Sequence, residues 1–394
     1  MKVPDMSIMS GSRGLGALRS RNRRRLLDLL REHGEVSRAD LARLTDLSAT
    51  TVSSLIAELS DEGVVTEAGL DDRRPGRTGR PGRLVQLVGG RGLVVALDIG
   101  HDLVRAAVCD LSGAVVSERV WTVDVEADDC LLRIAELVNE LADTTAGGRD
   151  RVSRLVVAVP GVVETGTGHV VSARMPSWQR LAPGPLLATA TGLPTFVEND
   201  ADLCALGERA FGAALGLNDI LHVVASTGIG VGLVLGGRLY RGSNGGAGEL
   251  GHVQVSEFGD LCRCGNRGCL ESQASLDAVL RALRVVHPQA RAAPDLARLV
   301  AGGDRAAIRA VSDAGTAIGK SVATLCNVLA PQAVVVGGDL AGGGTHLADA
   351  VRDAVERYTK PLTAARISVL PAELGHRAAV LGAVVTAVEA ELAS

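Results

Sequence analysis

The apolar and polar positions near the start of the chain follow the spacing of three short helices. Leucines at positions 18, 26, 27, 29 and 30 predict a first helix between residues 17 and 32. Ser37 predicts the N-cap of a second helix, because its hydroxyl can accept a hydrogen bond from a main-chain N–H of the first turn. Ser48 is the predicted N-cap of a third helix, which runs to about Leu59. This arrangement is typical of a helix-turn-helix.

The third predicted helix has one apolar face and one face of small side chains. Val52, Leu55, Ile56 and Leu59 recur at helical spacing and are expected to face a core. The opposite face can enter the major groove of DNA and bring short side chains to base edges and phosphates. An amphipathic helix of a protein-binding module shows the same pattern. The candidate DNA contacts are Ser48, Ala49, Thr50, Thr51, Ser53 and Ser54.

The segment that follows favours DNA binding over that alternative. Residues 64–67 and 84–87 predict two strands, and residues 69–82 between them are rich in Gly, Pro and Arg. We therefore expect a winged helix-turn-helix over residues 17–88 that binds double-stranded operator DNA. Arginine suits phosphate contacts and a narrow minor groove, although a run of arginines also occurs in plain solvated loops. The candidate wing contacts are Arg73, Arg74, Arg77, Arg80 and Arg83.

Charge is distributed unevenly between this head and the rest of the chain. Residues 1–90 carry 15 Lys and Arg against 12 Asp and Glu, whereas the other residues carry 26 against 33. A basic head on an acidic body indicates that only the head meets a polyanion. The chain shows no signal peptide and no apolar run of bilayer-spanning length, so we expect a cytoplasmic protein with no membrane partner. Residues 1–16 predict a flexible arm.

The remaining three quarters of the chain have the pattern of two similar α/β halves. Three β-rich runs begin at residue 92 and are followed by a helix near residues 130–144 and a buried strand at residues 155–159. The second half begins with a β-rich segment at residues 219–242, and helices then alternate with the strand of residues 333–338. The pattern predicts an internal repeat.

Three of the seven cysteines are clustered, and their spacing indicates a metal site. Cys262, Cys264 and Cys269 follow His252 closely, in a segment made pliable by glycine. Three thiolates and one imidazole complete the tetrahedral shell of a structural zinc, so we expect one Zn²⁺ per chain; the alternative is four unrelated buried side chains. Small buried hydrophobic roles are expected for the other cysteines, namely Cys109, Cys130, Cys204 and Cys326.

Glu249 and Glu271 bracket this cluster, either as ligand contacts or as surface charges. With these residues in register, the chain resembles the ROK family of repressors and sugar kinases, and most of all its repressors of sugar catabolism. The resemblance implies an actin-like, two-lobed fold for residues 91–394, of the sugar kinase and ribonuclease H type, with the C-terminal helix returning to the first lobe. It also implies homodimers or homotetramers.

The resemblance further implies a ligand site between the lobes. Its residues for a sugar or sugar derivative match Asn199, Asp200, Glu249, His252 and Glu271. In related kinases the aspartate that matches Asp200 is the general base, and we expect it to point from a loop into the cleft. Pro160 and Gly161 begin a further cleft loop, and Trp178 either stacks on a pyranose ring or lies in the core.

The sequence of the first phosphate loop distinguishes a sugar sensor from a sugar kinase. Family kinases carry Asp-x-Gly-Gly-Thr after the first strand, whereas this chain has His101 and Asp102 after Asp98-Ile99-Gly100. A bulky and an anionic side chain there oppose ATP phosphates. We therefore expect a repressor of carbohydrate genes, without enzymatic activity, that a sugar releases from its operator. The alternative is a sugar kinase with a DNA-binding head. The sugar and the operator sequence are not encoded in any readable motif.

Overall fold

The computed structural model describes residues 22–23, 25–27, 29–30, 33–61, 64–70, 83–87, 92–100, 103–110, 113–145, 148–172, 175–179 and 181–393. Several predicted features lie outside these residues. They are the arm of residues 1–16, the wing arginines Arg73, Arg74, Arg77 and Arg80, and the pair His101 and Asp102 in the first phosphate loop.

The head is a winged helix-turn-helix. Its elements are β1 (Val36–Ser37), α1 (Arg38–Thr45), α2 (Ala49–Asp61), β2 (Val65–Leu70) and β3 (Arg83–Leu87), and the strands pair in the order β1-β3-β2. Both predicted caps are present, because Ser37 Oγ accepts from Asp40 N at 3.1 Å and Ser48 Oγ accepts from Thr51 N at 3.1 Å. The short strand β1 was not predicted from the sequence.

The first lobe is built on a five-stranded mixed sheet. Its strand order is β10-β7-β4-β5-β6, with antiparallel pairing from β4 to β6 and parallel pairing of β4, β7 and β10. The elements are β4 (Leu93–Ile99), β5 (Leu103–Asp110), β6 (Val115–Thr122), α3 (Cys130–Thr144), β7 (Val152–Val159), the hairpin β8 (Val162–Val163) and β9 (Val170–Val171), α4 (Pro183–Thr191) and β10 (Thr195–Asn199). Helix α5 (Asp200–Phe211) then leads out of this lobe.

The second lobe repeats the topology of the first. Its sheet order is β13-β12-β11-β14-β15, again three antiparallel strands followed by two parallel ones. The elements are β11 (Ile220–Ala225), β12 (Ile229–Leu235), β13 (Arg238–Leu239), α6 (Leu270–Ala274), α7 (Leu276–Leu283), α8 (Ala293–Ala301), α9 (Arg305–Leu329), β14 (Ala333–Gly337), α10 (His346–Tyr358), α11 (Pro361–Ala364) and β15 (Ser368–Pro371). Helix α12 (Ala378–Ala393) returns to the first lobe and packs on β4 and β7.

Helices α5 and α12 pack tightly against each other between the two sheets. A Cβ on Gly207 would lie 2.1 Å from Ala378 O, and a Cβ on Gly382 would lie 1.8 Å from Leu203 O. Only glycine allows the two helix backbones to approach this closely. The lobes are therefore joined through a contact that leaves no room for a side chain.

The structure decides between the two roles left open for Trp178 and corrects the expectation for Asp200. Trp178 is a core residue, since its side chain is buried and its indole Nε1 donates to Val125 O at 2.7 Å, so it cannot stack on a sugar. Asp200 does not sit in a loop but is the first residue of α5. None of the helices described above is long and apolar enough to cross a membrane.

The contact between α5 and α12 predicts an asymmetric response to alanine substitution. Gly207→Ala forces the helices apart and is expected to lower the free energy of unfolding by about 1–3 kcal/mol. Gly184→Ala is the matched control, because it also lies in a helix but its Cβ would have Val197 Cγ2 at 3.4 Å as nearest atom. The control is expected to lower the free energy of unfolding much less, because its nearest main-chain atom, Thr195 O, would lie 3.9 Å away. Urea unfolding followed by circular dichroism measures both, and equal midpoints for the two variants would contradict the packing argument.

Candidate functional site

The structure brings the five predicted ligand residues to one cleft from three separate segments. Asn199 ends β10 and Asp200 begins α5. Glu249 precedes a short 3₁₀ turn that His252 ends, and Glu271 lies in the first turn of α6. The charge of Glu249 influences the pKa of Asp200, and the charges of His252 and Glu271 influence the pKa of Glu249. The four titratable groups therefore form one electrostatic unit.

Asn199 fixes the first-lobe side of this cleft. Its Oδ1 caps α5 by accepting from Asp202 N at 3.0 Å, and its Nδ2 donates to Gly161 O at 2.9 Å. An amide has two donor hydrogens and two acceptor lone pairs, so both ends of the side chain keep capacity for a ligand. The predicted loop at Gly161 and the predicted residue Asn199 thus form a single unit.

The loop that carries Glu249 is held by close main-chain contacts. A Cβ on Gly248 would lie 1.9 Å from Val231 O, and a Cβ on Gly245 would lie 2.0 Å from Val163 O in β8. Both glycines have positive φ, at 89° and 90°. Thr165 N also donates to Asn244 O at 3.2 Å. The second-lobe loop therefore rests directly on the first-lobe hairpin next to the cleft.

His252 has a different neighbour at each ring nitrogen. Its Nδ1 lies 3.6 Å from Cys262 Sγ, and its Nε2 lies 3.6 Å from Glu249 Oε2. From the sequence, this residue was assigned to both the metal cluster and the ligand site. The two assignments are geometrically compatible, because one imidazole faces both.

The thiols and the imidazole have the spacing that a tetrahedral metal ion requires. The ligand atoms of His252, Cys262, Cys264 and Cys269 all lie within 4.8 Å of one another. Cys264 Sγ and Cys269 Sγ are 3.8 Å apart, which matches the edge of a tetrahedron with metal–sulfur bonds of about 2.3 Å. Gly268 has φ 68° and approaches Ser256 O too closely for any side chain. This cluster can hold a metal ion.

Glu271 is anchored rather than exposed. Its side chain is buried, and its Oε2 accepts from Ile229 N at 3.2 Å at the start of β12. The sequence left open whether Glu249 and Glu271 are surface charges. Burial excludes a surface charge for Glu271, whereas the side chain of Glu249 is 41% exposed.

Burial raises the pKa of three carboxyl groups around α5. It raises the pKa of Asp200 to about 7, with a further contribution from the charge of Asp98. It raises the pKa of Asp98 to about 6, and it raises the pKa of Asp202 to about 8, where the charge of Glu198 acts in the same direction. These carboxyl groups therefore keep their protons to higher pH than exposed carboxyl groups do.

Sequence reasoning missed the residues behind this acidic cluster. Arg241 donates from Nε to Glu198 Oε2 at 2.6 Å and from Nη2 to the same oxygen, and its positive charge lowers the pKa of Asp202 against the effect of burial. The acid-rich segment of residues 198–202 was a visible signal for such a cation. Its partner is 43 positions away in sequence, which the sequence does not reveal.

The loops that follow β11 and β14 are in direct contact with each other. Ser226 Oγ accepts from Asp339 N at 2.9 Å, and a Cβ on Gly338 would lie 2.5 Å from Ala225 O. These contacts join the ends of β11 and β14. Gly338 thus has a structural role at this junction.

The candidate DNA face is displayed on α2 and at its start. Ser48, Ala49, Thr50, Ser53 and Ser54 are exposed and Thr51 is partly so, whereas Val52, Leu55, Ile56 and Leu59 are buried. Arg83 at the start of β3 pairs with Glu67 of β2. The head therefore presents small polar side chains on the face opposite its core.

This combination defines a two-lobed protein of the sugar-kinase fold that carries a winged head. The ROK family model matches residues 94–390, and a winged helix-turn-helix DNA-binding model matches residues 19–66. The chain belongs to the ROK family.

The relatives of this chain include both transcriptional repressors and sugar kinases. The xylose repressor of Bacillus spizizenii is 28% identical, with 92% of this chain and 93% of that protein covered. The glucokinase of Thermotoga maritima is 30% identical, with 74% of this chain and 95% of that protein covered. Among solved structures, a ROK family transcriptional regulator described as a homologue of the E. coli Mlc protein aligns with a TM-score of 0.75 at 26% identity, covering 95% of this chain and 96% of the other.

The raised pKa values predict that the carboxyl at Asp200 costs stability at alkaline pH. An acid whose pKa is about 7 when folded, against an ordinary value of 3.8 that applies to the unfolded chain, gains a proton on folding between these values. Stability therefore falls as the pH rises through that window. Asp200→Asn removes this effect. We expect the variant to be more stable than the parent at pH 8 by at least the ~1.4 kcal/mol of one pKa unit, and equal to it near pH 4.

Urea unfolding at a series of pH values measures this difference. Asp313→Asn is the control, because Asp313 is exposed on α9 and pairs with Arg309 at 3.0 Å on the same helix. The control is expected to show no difference that grows between pH 4 and pH 8. A parallel pH dependence of Asp200→Asn and the parent would disprove the assignment.

Proposed function

We propose that this protein is a transcriptional repressor of carbohydrate uptake or catabolism genes, and that a sugar or sugar derivative bound between the lobes releases it from its operator. The observation that carries the proposal is the presence, in one chain, of a winged head with an exposed small polar helix face and a cleft lined by Asn199, Asp200, Glu249, His252 and Glu271. Carboxylates and amides are suited to accept hydrogen bonds from sugar hydroxyls. A chain that binds operator DNA acts in the cytoplasm.

Recognition of DNA rests on two elements of the head. The contacts of α2 with base edges are assigned to Ser48, Ala49, Thr50, Thr51, Ser53 and Ser54, and the phosphate contacts of the wing to Arg73, Arg74, Arg77 and Arg80. A palindromic operator is read by two equivalent heads, which is why a homodimer or homotetramer is part of the proposal.

Zinc is the metal that the cluster suits best. Three sulfur ligands and one nitrogen ligand favour Zn²⁺ over the harder divalent ions, and His252, Cys262, Cys264 and Cys269 would fill all four positions. When bound, the ion would supply structural cross-linking and no open position for catalysis. The role of His252 is then to present its second nitrogen, Nε2, beside Glu249.

Several features favour a sensor over a sugar kinase. The relatives that match nearly the whole chain are regulators, whereas the glucokinase matches the part without the head. The sequence also lacks the second glycine and the threonine of the kinase phosphate loop. The carboxyl of Asp200 then has the role of binding hydroxyl groups, without removing a proton from them.

The proposal predicts a sugar-dependent loss of operator binding that requires Glu271. A duplex selected by the chain from a randomised pool serves as the operator, and its affinity is measured by fluorescence anisotropy with neutral aldoses, N-acetyl amino sugars and their phosphates. One class is expected to weaken binding. Glu271→Gln removes a charged acceptor and is expected to raise the sugar concentration needed by about tenfold or more, with unchanged operator affinity in the absence of sugar.

Glu257→Gln is the control, because Glu257 is an exposed carboxylate in the loop before the cysteines. It should respond as the parent does. If no sugar in the panel altered operator affinity, the proposed switch would be wrong. Sugar-dependent release of ADP from ATP, abolished by Asp200→Asn, would support the kinase instead.

The metal assignment predicts that loss of zinc harms the sugar response before DNA binding. Cys262→Ala is expected to contain less than one zinc per chain by plasma mass spectrometry and to lose most of its sugar response, while its head still binds the operator. Cys326→Ala, in which a buried cysteine outside the cluster is replaced, should retain one zinc. Full sugar response in a metal-free Cys262→Ala would count against this role.

A further inference from the structure

Glu208 is a fully buried carboxylate with no place in the ligand site. Its side chain is 0% exposed and lies near the end of α5. A buried carboxylate is costly unless hydrogen bonds compensate for the lost water. At this position the compensation comes from main-chain N–H groups.

Three main-chain donors converge on this one side chain. Oε1 accepts from Glu373 N at 3.0 Å and from Leu374 N at 2.8 Å, and Oε2 accepts from Ala213 N at 2.9 Å. The donors come from two segments about 160 residues apart. Hydrogen bonds to a charged acceptor are among the stronger ones in proteins.

These two segments are the entry into the second-lobe sheet and the exit from it. Residues 212–219 lead from α5 into the second-lobe sheet at β11, and residues 372–377 lead from β15 out of that sheet into α12. Arg209, the next residue, secures the first connection a second time through its Nε, which donates to Leu217 O at 3.0 Å. The entry and the exit of the second lobe are thus joined at one carboxylate.

The surrounding packing leaves this carboxylate no freedom. Gly207, its neighbour, is the residue whose Cβ would meet Ala378 O at 2.1 Å, and a Cβ on Gly212 would lie 2.2 Å from Glu208 Oε2. One of the two tight approaches of α5 to α12 therefore lies beside the three hydrogen bonds. A rotation of one lobe against the other has to turn about this point or break it.

We propose that Glu208 is the pin of the interlobe hinge, which holds both connections together so that sugar binding produces one defined rotation of the lobes. The link to sugar rests on the proposed function; the hinge itself does not. Glu208 touches no ligand and is a positioning residue. Loss of the pin widens the range of lobe orientations and weakens the coupling between cleft and head.

Two variants test the pin in different ways. Glu208→Gln keeps the size of the side chain but replaces one acceptor oxygen by a donor that faces main-chain N–H groups. Gly212→Ala leaves Glu208 unchanged and displaces its carboxylate, because the added Cβ would lie 2.2 Å from Oε2. Asp304→Asn is the control, because this carboxylate caps α9 by accepting from Ala307 N at 2.9 Å and lies wholly within the second lobe.

The first measurement needs no sugar. Nitroxides attached through p-acetylphenylalanine at the exposed positions Leu132 in α3 and Val328 in α9 report the distance between the lobes by double electron–electron resonance, without labelling cysteine. Both pin variants are expected to broaden the distance distribution of the full-length chain, and the control is expected to keep the parent's width. Hydrogen exchange at residues 213, 373 and 374 verifies that the bonds are lost. Parent-like widths despite that loss would overturn the proposal.

The second measurement uses the operator and the active sugar. The factor by which the sugar weakens operator binding is expected to fall by about fivefold or more in both pin variants, and to stay unchanged in Asp304→Asn. An unchanged factor in folded pin variants would contradict the coupling. If the parent itself shows no sugar response, the proposed function fails while the distance measurement still decides the hinge. If Glu208→Gln does not fold, Gly212→Ala decides alone.

Discussion

The close contact of α5 with α12 is the constraint on which the rest of the molecule depends. Each helix packs on the sheet of one lobe, and the pair meets where Gly207 and Gly382 approach main-chain carbonyls. Asp200 begins α5 and Glu208 lies near its end, separated by about 12 Å at 1.5 Å per residue. A short rigid helix therefore links the cleft to the hinge, so that a ligand pulling on Asp200 acts on the same element that Glu208 fixes.

Charge in the cleft is organised by burial more than by pairing. Asp98, Asp200 and Asp202 have raised pKa values chiefly because they have lost water. The cation behind Asp202, Arg241, is held by Glu198. A ligand that donates hydrogen bonds and carries no negative charge fits this environment, because an anion would add to the repulsion among the carboxylates. Sugar hydroxyls meet that requirement.

The features that the sequence predicted and those that it missed differ in how far apart along the chain the interacting residues lie. The caps at Ser37 and Ser48 join residues three apart, and local spacing was enough to place both. The cluster of His252 with the three cysteines spans 18 positions and was signalled by residue type. Glu208 bonds to donors 165 and 166 positions away, and Arg241 reaches back 43. Such contacts exist only after two sheets have packed on the connecting helices, so no pattern along the chain reveals them. Burial likewise decided between the two roles open to Trp178 and placed it in the core.

A kinase and a sensor on this fold use the same motion for different ends. Closure in a kinase must bring ATP to the sugar, which demands an intact first phosphate loop. Closure in a sensor has only to change the orientation of the DNA-binding head, which is attached to one lobe, relative to the other lobe. In this chain the winged head precedes β4, the central strand of the first lobe. A rotation about the hinge therefore changes the orientation of the second lobe relative to the head. The loop at Asp98 can lose its ability to bind ATP phosphates, because this rotation does not require it.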